Sequence, residues 1–403
     1  MVRRTLICAA LLSALLPIGC GGNPSGDSEV DAWTIDVPAG TSVKKYPPVF
    51  GRDRAGREIE LVESLVLGGD ESDPNTRFYR VQGIAASPAG DIYVLDSGNS
   101  RVQMFSRDGS YVKTLGSIGD GPGEFQRPDG IAIAGDRIAV NDSVSRRLTF
   151  WSLDGEYVDE LRPPLRISAR MAVLPDFSIV AAGSAIDRAQ MVRRPTLSRY
   201  SAQGDLLDVI LALSPDPMPD LAATRADPLA MLQMAAEAVA DPSVISFVSS
   251  QSIIYATPMA EYQVFAKSPE GEWLWALKVA WPRPPFPDAQ KKAMVDSFVA
   301  RIPDLTVESV DWPDHVAALR AIQVDGQGRL YVFPTPGEAA DAGISGKPPL
   351  NPVDVYSSEG EQLMAGLIGS SWSYAQGDYV YAVRTNAAGA EEVVRYRLVW
   401  PAS

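Results

Sequence analysis

The chain has 403 residues, of which 46% are hydrophobic and 21% charged, and this composition excludes long disorder and multiple membrane spans. Its formal net charge of −14 repels phosphate backbones, so we expect no nucleic-acid partner. The same charge argues against electrostatic docking on anionic lipid.

The first residues predict an export signal with a lipid attachment site. Two arginines precede the apolar run Leu6–Leu16, which is long enough for a signal peptide and too short to span a bilayer. The run leads to Gly19-Cys20, which resembles the bacterial lipobox, so we assign residues 1–19 to a lipoprotein signal peptide and Cys20 to lipidation. The alternative is simple secretion with an unmodified Cys20. Lipidation would anchor the protein to a membrane of the cell envelope, on the periplasmic or outer-membrane side, through Cys20 alone.

The use of cysteine is consistent with this processing. The chain has two cysteines, Cys8 and Cys20, and the first lies inside the signal peptide. The mature protein therefore has no pair of thiols, and its stability has to come from its core. Gly, Ser, Pro and Asp are frequent in residues 21–30, and we predict a flexible tether over residues 20–45 and a single domain over residues 46–403.

An internal repeat is the main signal in the mature chain. The strand-forming segment Ile92–Ser97 recurs as Ile138–Ser143, and an Asp-Gly turn follows at the same distance in both copies. The offset between the copies stays at 46 residues from Asp96 to Val112. Each copy predicts four short strands separated by turns, which is the size of one β-propeller blade.

We predict an all-β fold, a six-bladed β-propeller of four-stranded antiparallel blades. Further blades are marked by an aromatic residue four positions before a turn glycine, at Phe105, Trp151, Tyr200 and Tyr356. The end of the chain supplies too few strands for a sixth blade, and Ile59–Leu67 resembles the missing outer strand. Pairing of this segment with Val393–Val399 would close the ring and remove both free sheet edges. Five or seven blades remain as alternatives, because insertions lengthen blades three to five.

The first two copies resemble NHL repeats over about residues 78–160. The match is carried by Gly90–Gln103 and Gly121–Pro128, with a further fragment at Val324–Val332. The whole arrangement is similar to the uncharacterised six-bladed propeller lipoproteins of bacteria. This resemblance implies a propeller with a binding role, and it carries over no catalytic site.

Two short helical insertions are predicted, at about residues 212–242 and 282–315. Asp227-Pro228 is a helix-start signal. The apolar stripe that we predict for this first helix consists of Met231, Met234, Ala235 and Val239. We interpret the helix as a cap packed over one mouth of the propeller, and a Met-bearing binding surface is the alternative. The second helix is predicted at about Asp288–Arg301, after a proline-rich flank.

Few residues offer catalytic chemistry. His315 is the only histidine, and we interpret it as a polar loop residue because nothing near it has the spacing of a triad or a metal site. We therefore assign no catalytic residue, no metal ligand and no cofactor. Trp273, Trp275 and Trp281 could form an aromatic platform, but packing between blades is the preferred interpretation.

The candidate polar network consists of Asp96, Arg101, Asp142 and Arg147. Each Asp ends the second strand of its repeat, and each Arg follows five residues later. We interpret them as a structural ion pair or turn network within each blade. The alternatives are an oxygen-rich calcium site or a ring of polar ligands at the mouth of the axial channel.

Two classes of function remain. The preferred one is a membrane-anchored extracytoplasmic binding or scaffold module, acting as a monomer, for a protein, peptide or glycan ligand. The alternative is a propeller enzyme, either a metal-dependent lactonase or other hydrolase or a lyase, with its site at the axial channel. Such enzymes place several acidic, Asn or His residues around one metal, whereas this sequence has scattered Asp and one His, which favours binding.

Overall fold

The computed structural model describes residues 34–401 except for 55, 71, 163–170, 175, 219–223, 225–226, 242–245, 250–252, 300–301, 303–304, 337–349 and 370–371. The side chains of residues 51–52 and 246–248 are also not described. The predicted signal peptide, the lipidation site Cys20 and residues 20–33 of the predicted tether lie outside the described residues.

Three regular blades follow an N-terminal segment that contains β1 (Ser42–Tyr46), α1 (Gly51–Arg54) and β2 (Glu58–Gly68). Blade 1 consists of β3 (Val81–Ala86), β4 (Ile92–Asp96), β5 (Arg101–Phe105) and β6 (Tyr111–Leu115). Blade 2 consists of β7 (Pro128–Ala134), β8 (Arg137–Asp142), β9 (Arg147–Ser152) and β10 (Tyr157–Leu161). Blade 3 consists of β11 (Met171–Val173), β12 (Ile179–Asp187), β13 (Val192–Tyr200) and β14 (Leu206–Ala212), with the short β15 (Asp216–Pro217) paired to β13.

The remaining blades incorporate strands from the N-terminal segment. Blade 4 consists of β16 (Ser246–Ser249), β17 (Ile254–Thr257), β18 (Gln263–Lys267) and β19 (Trp273–Val279). Blade 5 consists of β20 (Leu319–Val324), β21 (Leu330–Pro334), β22 (Asn351–Tyr356) and β23 (Gln362–Ile368). Blade 6 consists of β24 (Tyr374–Gln376), β25 (Tyr379–Thr385), β26 (Glu391–Val399) and, as its outermost strand, β2. The prediction of six four-stranded antiparallel blades is confirmed.

The ring closes through the pairing of β2 with β26, as the sequence predicts. The two strands run antiparallel from Glu60 opposite Val399 to Gly68 opposite Glu392. Before this, Glu58 and Ile59 pair in parallel with the outer strand of blade 5, so β2 bridges two blades. Strands from both ends of the described chain therefore share one sheet, and β2 covers the edge of β26.

The predicted flexible tether is wrong for residues 34–45, because these residues pack on blades 4 and 5. β1 pairs in parallel with β19, from Ser42 opposite Trp275 to Tyr46 opposite Val279. Ile35 and Val37 pack against the apolar cluster that blade 4 forms with blade 3. The outer edge of β19 offers unpaired backbone groups, and β1 satisfies them. We call residues 34–57 the N-terminal strap.

The core lies between neighbouring blades, which explains why the strands are buried on both faces. In β4, Ile92 and Val94 face blade 6, whereas Tyr93 and Leu95 face blade 2. Successive side chains of a strand point to opposite faces, so a strand between two blades needs a continuous apolar run. The same holds for β5, in which Val102–Phe105 is buried on both faces.

The recurrent turn glycines lie where the third strand of a blade turns into the fourth. Gly109 and Gly155 have φ values of 91° and 77°, in the left-handed region that favours glycine. The equivalent glycines of blades 3, 4 and 5 also have positive φ: Gly204, Gly271 and Gly360. The repeat therefore reflects a backbone requirement of each blade.

One face of the propeller carries all the connections between blades, and we call it the connector face. In an antiparallel meander, the turn between strands two and three and the exit from strand four lie at the same edge. Both predicted helices belong to these connections: α2 (Pro228–Ala240) follows blade 3, and α3 (Asp288–Phe298) follows blade 4. Asp227 caps α2 by accepting the backbone N–H of Leu229 at 2.9 Å.

The two helices pack together as a cap with its own small apolar clusters. Leu232 of α2 and Val295 of α3 are buried in one cluster with Leu305 and Val310. The buried stripe of α2 consists of Leu232, Ala236 and Ala240. The predicted stripe is therefore displaced by one position, because Leu232 packs with Val295 of α3 and Ala236 with Phe286 and Val316, whereas Met234 is exposed.

Candidate binding site at the junction of blades 6 and 1

Asp96 and Arg101, which the sequence places in a polar network, form an ion pair in blade 1. Asp96 Oδ2 and Arg101 Nε lie 2.8 Å apart, and Asp96 is fully buried. The same carboxylate accepts the backbone N–H of Tyr79 and an amide hydrogen of Asn99, each at 2.8 Å. These three donors compensate the burial of the charge.

The second copy of the network is arranged differently. Asp142 is also fully buried, and it accepts backbone N–H groups from Gln126, Arg127, Val144 and Ser145. Arg147 pairs with Glu160 at 3.0 Å and also donates to the carbonyl of Gly121 at 2.9 Å. The Asp–Arg ion pair of the first copy is thus replaced by an Arg–Glu pair in the second.

Asp96 and Asp142 nevertheless have the same structural role. Each accepts backbone N–H groups from the segment that enters its blade, namely Tyr79 in blade 1 and Gln126-Arg127 in blade 2. A buried carboxylate with several N–H donors fixes the backbone that it binds. Asp96 and Asp142 therefore position the entering segments and are not open to solvent themselves.

A pocket of about 580 Å³ lies on the connector face, where the connection from blade 6 enters blade 1. We call it the junction pocket. The polar and aromatic residues that line it are Asp70, Arg77, Tyr79, Arg80, Asn99 and Glu391. Tyr79 and Asn99 bind Asp96 directly, so the buried ion pair lies beneath this pocket and supports its wall.

The backbone of the pocket wall is held at several points by blade 1. The fully buried Gln103 donates to the carbonyl of Asn75 at 2.9 Å, and Arg101 donates to that of Arg77 at 3.0 Å. The backbone N–H of Gly98 donates to the carbonyl of Tyr79 at 2.7 Å. Side chains on this segment therefore project from a rigid support, which reduces the ordering cost of ligand binding.

Arg80 has an unusual backbone conformation within this wall. Its φ is 57°, a left-handed value that is unfavourable for a residue with a Cβ atom. The strain is maintained from both sides, because Asp96 and Gly98 bind Tyr79, and the N–H of Val81 donates to Glu391 at 3.0 Å. Strained backbone of this kind clusters at binding and active sites.

The cationic groups of the pocket are available for a ligand, whereas its acidic groups are engaged. Within the described part of the chain, the guanidinium groups of Arg77 and Arg80 make no ion pair. Asp70 accepts two hydrogen bonds from Ser72, which lower the pKa of its carboxyl group. Glu391 accepts the backbone N–H of Val81. The guanidinium groups of Arg77 and Arg80 are therefore available to pair with an anionic group of a ligand.

Tyr79 adds apolar contact area to this charge. Its side chain is 61% exposed, although its backbone is fixed on both sides. Tyrosine and arginine are the residues most often found at energetically dominant positions of binding sites. An exposed aromatic ring on a fixed backbone, beside unpaired guanidinium groups, is suited to contact a ligand.

A second, shallower pocket of about 480 Å³ lies on the opposite face, between blades 5 and 6. Its charged groups are largely engaged with each other. Arg329 binds Asp325 at 2.6 Å and stacks on Trp400, and Gln327 donates to Asp378 at 2.9 Å. The junction pocket is the stronger candidate, because its cations lack such partners.

The histidine and tryptophan residues that the sequence singled out lie outside the junction pocket. His315 is exposed in the cap, where its backbone bridges to Pro285. Trp275 and Trp281 are buried and donate to backbone carbonyls of blade 5, so they form no open platform.

Across the described residues, no group of three or more His, Cys, Asp or Glu side chains could hold a metal ion. None of the described helices has the length and apolar character needed to cross a bilayer.

The pocket residues Arg77, Tyr79 and Arg80 were missed in the sequence because they precede the first repeat. One signal was available: Tyr79-Arg80 precedes β3 as Gln126-Arg127 precedes β7, so both blades begin after an arginine. Whether such a side chain is free or paired depends on distant residues, and sequence spacing does not report it.

Comparison with known proteins supports the fold. Residues 77–176, about a quarter of the chain, match a family model described as DUF5128, a six-bladed β-propeller. No match was found among curated proteins.

Several solved structures are similar in fold at low sequence identity. A protein described as exported, from Bacteroides fragilis NCTC 9343, has 12% identity and a TM-score of 0.51, with 89% of this chain and 100% of that chain covered. A member of the DUF4221 family from Bacteroides vulgatus ATCC 8482 has 12% identity and a TM-score of 0.45, with 86% and 99% covered. A streptogramin B lyase has 12% identity and a TM-score of 0.36, with 85% and 97% covered. The matched segment and the six antiparallel blades identify this chain as a six-bladed β-propeller.

Proposed function

We propose that this protein is an extracytoplasmic binding module, anchored by a lipid at Cys20, that holds its ligand in the junction pocket. The observation that carries the proposal is the state of Tyr79 and Arg80. Both project from a backbone fixed by buried groups, yet the ring is exposed and the guanidinium has no ion pair among the described residues. Side chains that are held in place before binding favour ligand binding, because the protein loses little conformational entropy when the ligand binds.

The geometry favours binding over catalysis. The described lining of the junction pocket offers guanidinium, phenol, amide and engaged carboxylate groups. A hydrolase or lyase needs a nucleophile or a general base within hydrogen-bond reach of its substrate, and His315 lies in the helical cap. The ligand classes compatible with the pocket are a protein, a peptide or a glycan, provided that it carries negative charge.

Binding can be tested with a peptide array and a glycan array, because the ligand is unidentified. We expect the wild-type protein to retain specific array spots, and Tyr79→Ala and Arg80→Ala each to weaken binding by about tenfold or more. The matched controls are Tyr111→Ala, an exposed tyrosine on the outer strand of blade 1, and Arg397→Ala on the opposite face. Equal ligand affinity of the Tyr79→Ala and Tyr111→Ala variants would show that the ligand binds outside the junction pocket.

The anchor has an independent test. Mass spectrometry of the mature protein should show a chain that begins at Cys20 with acyl groups attached. Cys20→Ser should move the protein from the membrane fraction to the soluble extracytoplasmic fraction. A wild-type protein whose mature N-terminus is unmodified would contradict lipid anchoring and leave the junction pocket unaffected.

A further inference from the structure

The cationic surface continues from the junction pocket onto blade 2. Arg80 precedes Val81, which pairs with Asp96, and Arg127 precedes Pro128, which pairs with Asp142. The two arginines therefore occupy the same position in successive blades.

A further arginine, Arg146, lies in the turn after β8 on the same face. Within the described ranges, neither Arg127 nor Arg146 makes an ion pair through its guanidinium group. The protein has a net charge of −14. A group of unpaired arginines is therefore a local positive region on a chain that is negatively charged overall.

Exposed aliphatic side chains accompany these arginines. Ile118, in the connection from blade 1 to blade 2, is 78% exposed, and Val144, in the turn after β8, is 50% exposed. Both positions are ordered by backbone contacts: Ile118 bridges to Phe125, and the N–H of Val144 donates to Asp142. Ordered apolar side chains in solvent, next to cations, are typical of protein interaction sites.

The surface is continuous from the pocket to blade 2. The hydroxyl of Ser97, in the turn after β4, donates to the carbonyl of Pro128, and that of Ser100 donates to Gln126 at 3.4 Å. The turn that supplies Asn99 to the pocket therefore also contacts the segment that carries Arg127. The segments that enter blades 1 and 2 are therefore linked through this turn.

We propose that the ligand is an extended peptide segment with alternating acidic and apolar side chains, which runs from the junction pocket across blades 1 and 2. This inference rests on the proposed binding function and names its ligand class. The acidic side chains pair with Arg80 and Arg127, and the apolar ones pack on Tyr79, Ile118 and Val144. A neutral glycan leaves the arginines unpaired, and an acidic glycan leaves the aliphatic side chains uncovered.

The test uses fluorescence anisotropy with short labelled peptides and the full-length protein. One peptide alternates Glu with Val, a second replaces Glu by Gln, and a third replaces Val by Ser. We expect the first to bind at least about tenfold more tightly than either of the others, and its affinity to fall as salt increases. Polygalacturonate serves as the acidic-glycan probe, and equal or tighter binding of this polymer would overturn the peptide assignment.

Variants separate this inference from the function on which it rests. Arg127→Ala and Ile118→Ser should each weaken binding of the Glu-Val peptide by about fivefold or more, while Arg397→Ala leaves it unchanged. If Tyr79→Ala weakens binding but Arg127→Ala and Ile118→Ser do not, the ligand stays within the junction pocket and the extended path across blade 2 is wrong. If no variant on the connector face weakens binding, both proposals are wrong.

Discussion

The guanidinium group of Arg54 lies 2.7 Å from the carboxylate of Asp354, although the two residues are 300 positions apart in the chain. Both side chains are almost fully buried, at 1% and 3% exposure. Arg54 also donates to the carbonyls of Val353 and Gly366, and Tyr262 donates its hydroxyl to Asp354 at 2.7 Å. The pair thus fixes the N-terminal strap to blade 5 by a buried contact.

Removal of the guanidinium should destabilise the fold strongly. Arg54→Ala leaves the Asp354 carboxylate buried without its cation, and breaking a buried pair in this way costs about 3–5 kcal/mol. The free energy of unfolding from urea denaturation measures this loss. Arg57→Ala is the matched control, because Arg57 is exposed and contributes its backbone carbonyl to Leu367. Its change should stay within about 0.5 kcal/mol. Equal losses in the two variants would mean that the ion pair is unimportant.

The same pair predicts a pH dependence. Burial raises the pKa of Asp354 above its ordinary value of 3.8, although Arg54 and Tyr262 act in the opposite direction. The folded state therefore holds the proton more tightly than the unfolded chain does. The stability gained from this is fully present below the unfolded pKa and is lost as the pH rises through the folded pKa.

Asp354→Asn removes this titration and serves as the reference. The free energy of unfolding of the wild type, minus that of the variant, should fall as the pH rises from about 4 toward 7. Urea denaturation at a series of pH values gives this difference. A difference that rises with pH would show that Arg54 outweighs burial and lowers the pKa.

Ring closure can be tested by a disulfide across the β2–β26 pair. Val62 and Arg397 are register partners at accessible positions, and a chain that begins at residue 34 has no other cysteine. Val62→Cys with Arg397→Cys should oxidise to a cross-link and raise the free energy of unfolding by up to about 5 kcal/mol, because it closes a very long loop. Electrophoresis without reductant detects the cross-link.

The register control combines Val62→Cys with Glu392→Cys. Glu392 lies opposite Gly68, far from Val62 along the strand, so these two sulfurs cannot reach each other without a shift of the strands. Equally fast cross-linking of this second pair would contradict the register.

Gly98 provides a way to disturb the junction pocket without removing any of its side chains. A methyl group at Gly98 would lie 2.2 Å from a ring carbon of Tyr79 and 2.4 Å from its carbonyl oxygen, so Tyr79 has to move. Gly98→Ala should therefore weaken ligand binding about as much as Tyr79→Ala does. Gly183→Ala is the control, because a methyl group there meets nothing within 4 Å. Wild-type affinity in Gly98→Ala would show that the position of Tyr79 is unimportant for binding.

The repeating part of the fold could be predicted from sequence because each blade repeats the same local requirements. Strands such as β4 need a continuous apolar run, turns need a residue with positive φ at Gly109 or Gly155, and the offset of 46 residues links the copies. Ring closure by Ile59–Leu67 followed from the need to pair two free edges.

The N-terminal strap and the pocket could not be predicted in the same way. β1 pairs with β19 more than 200 residues away, and nothing local to Ser42–Tyr46 specifies a parallel partner. In the sequence, nothing distinguishes Arg54 from the other charged residues of its polar stretch. Only the fold places Asp354 beside it. The predicted Asp–Arg network includes the Asp96–Arg101 ion pair beneath the junction pocket, but the exposed groups beside it depend on which side chains remain unpaired after folding.

The bridging position of β2 has a consequence for the order of assembly. β2 lies near the start of the described chain, whereas its partner β26 follows all the other described strands, so β2 is synthesised long before β26. Blades 1 to 5 can form hairpin by hairpin as they emerge, but blade 6 has to wait for β26 (Glu391–Val399), and closing so large a loop is entropically slow. The ring therefore closes only after β26 has been made, and a chain that lacks β24–β26 leaves blade 1 without one of its two neighbours.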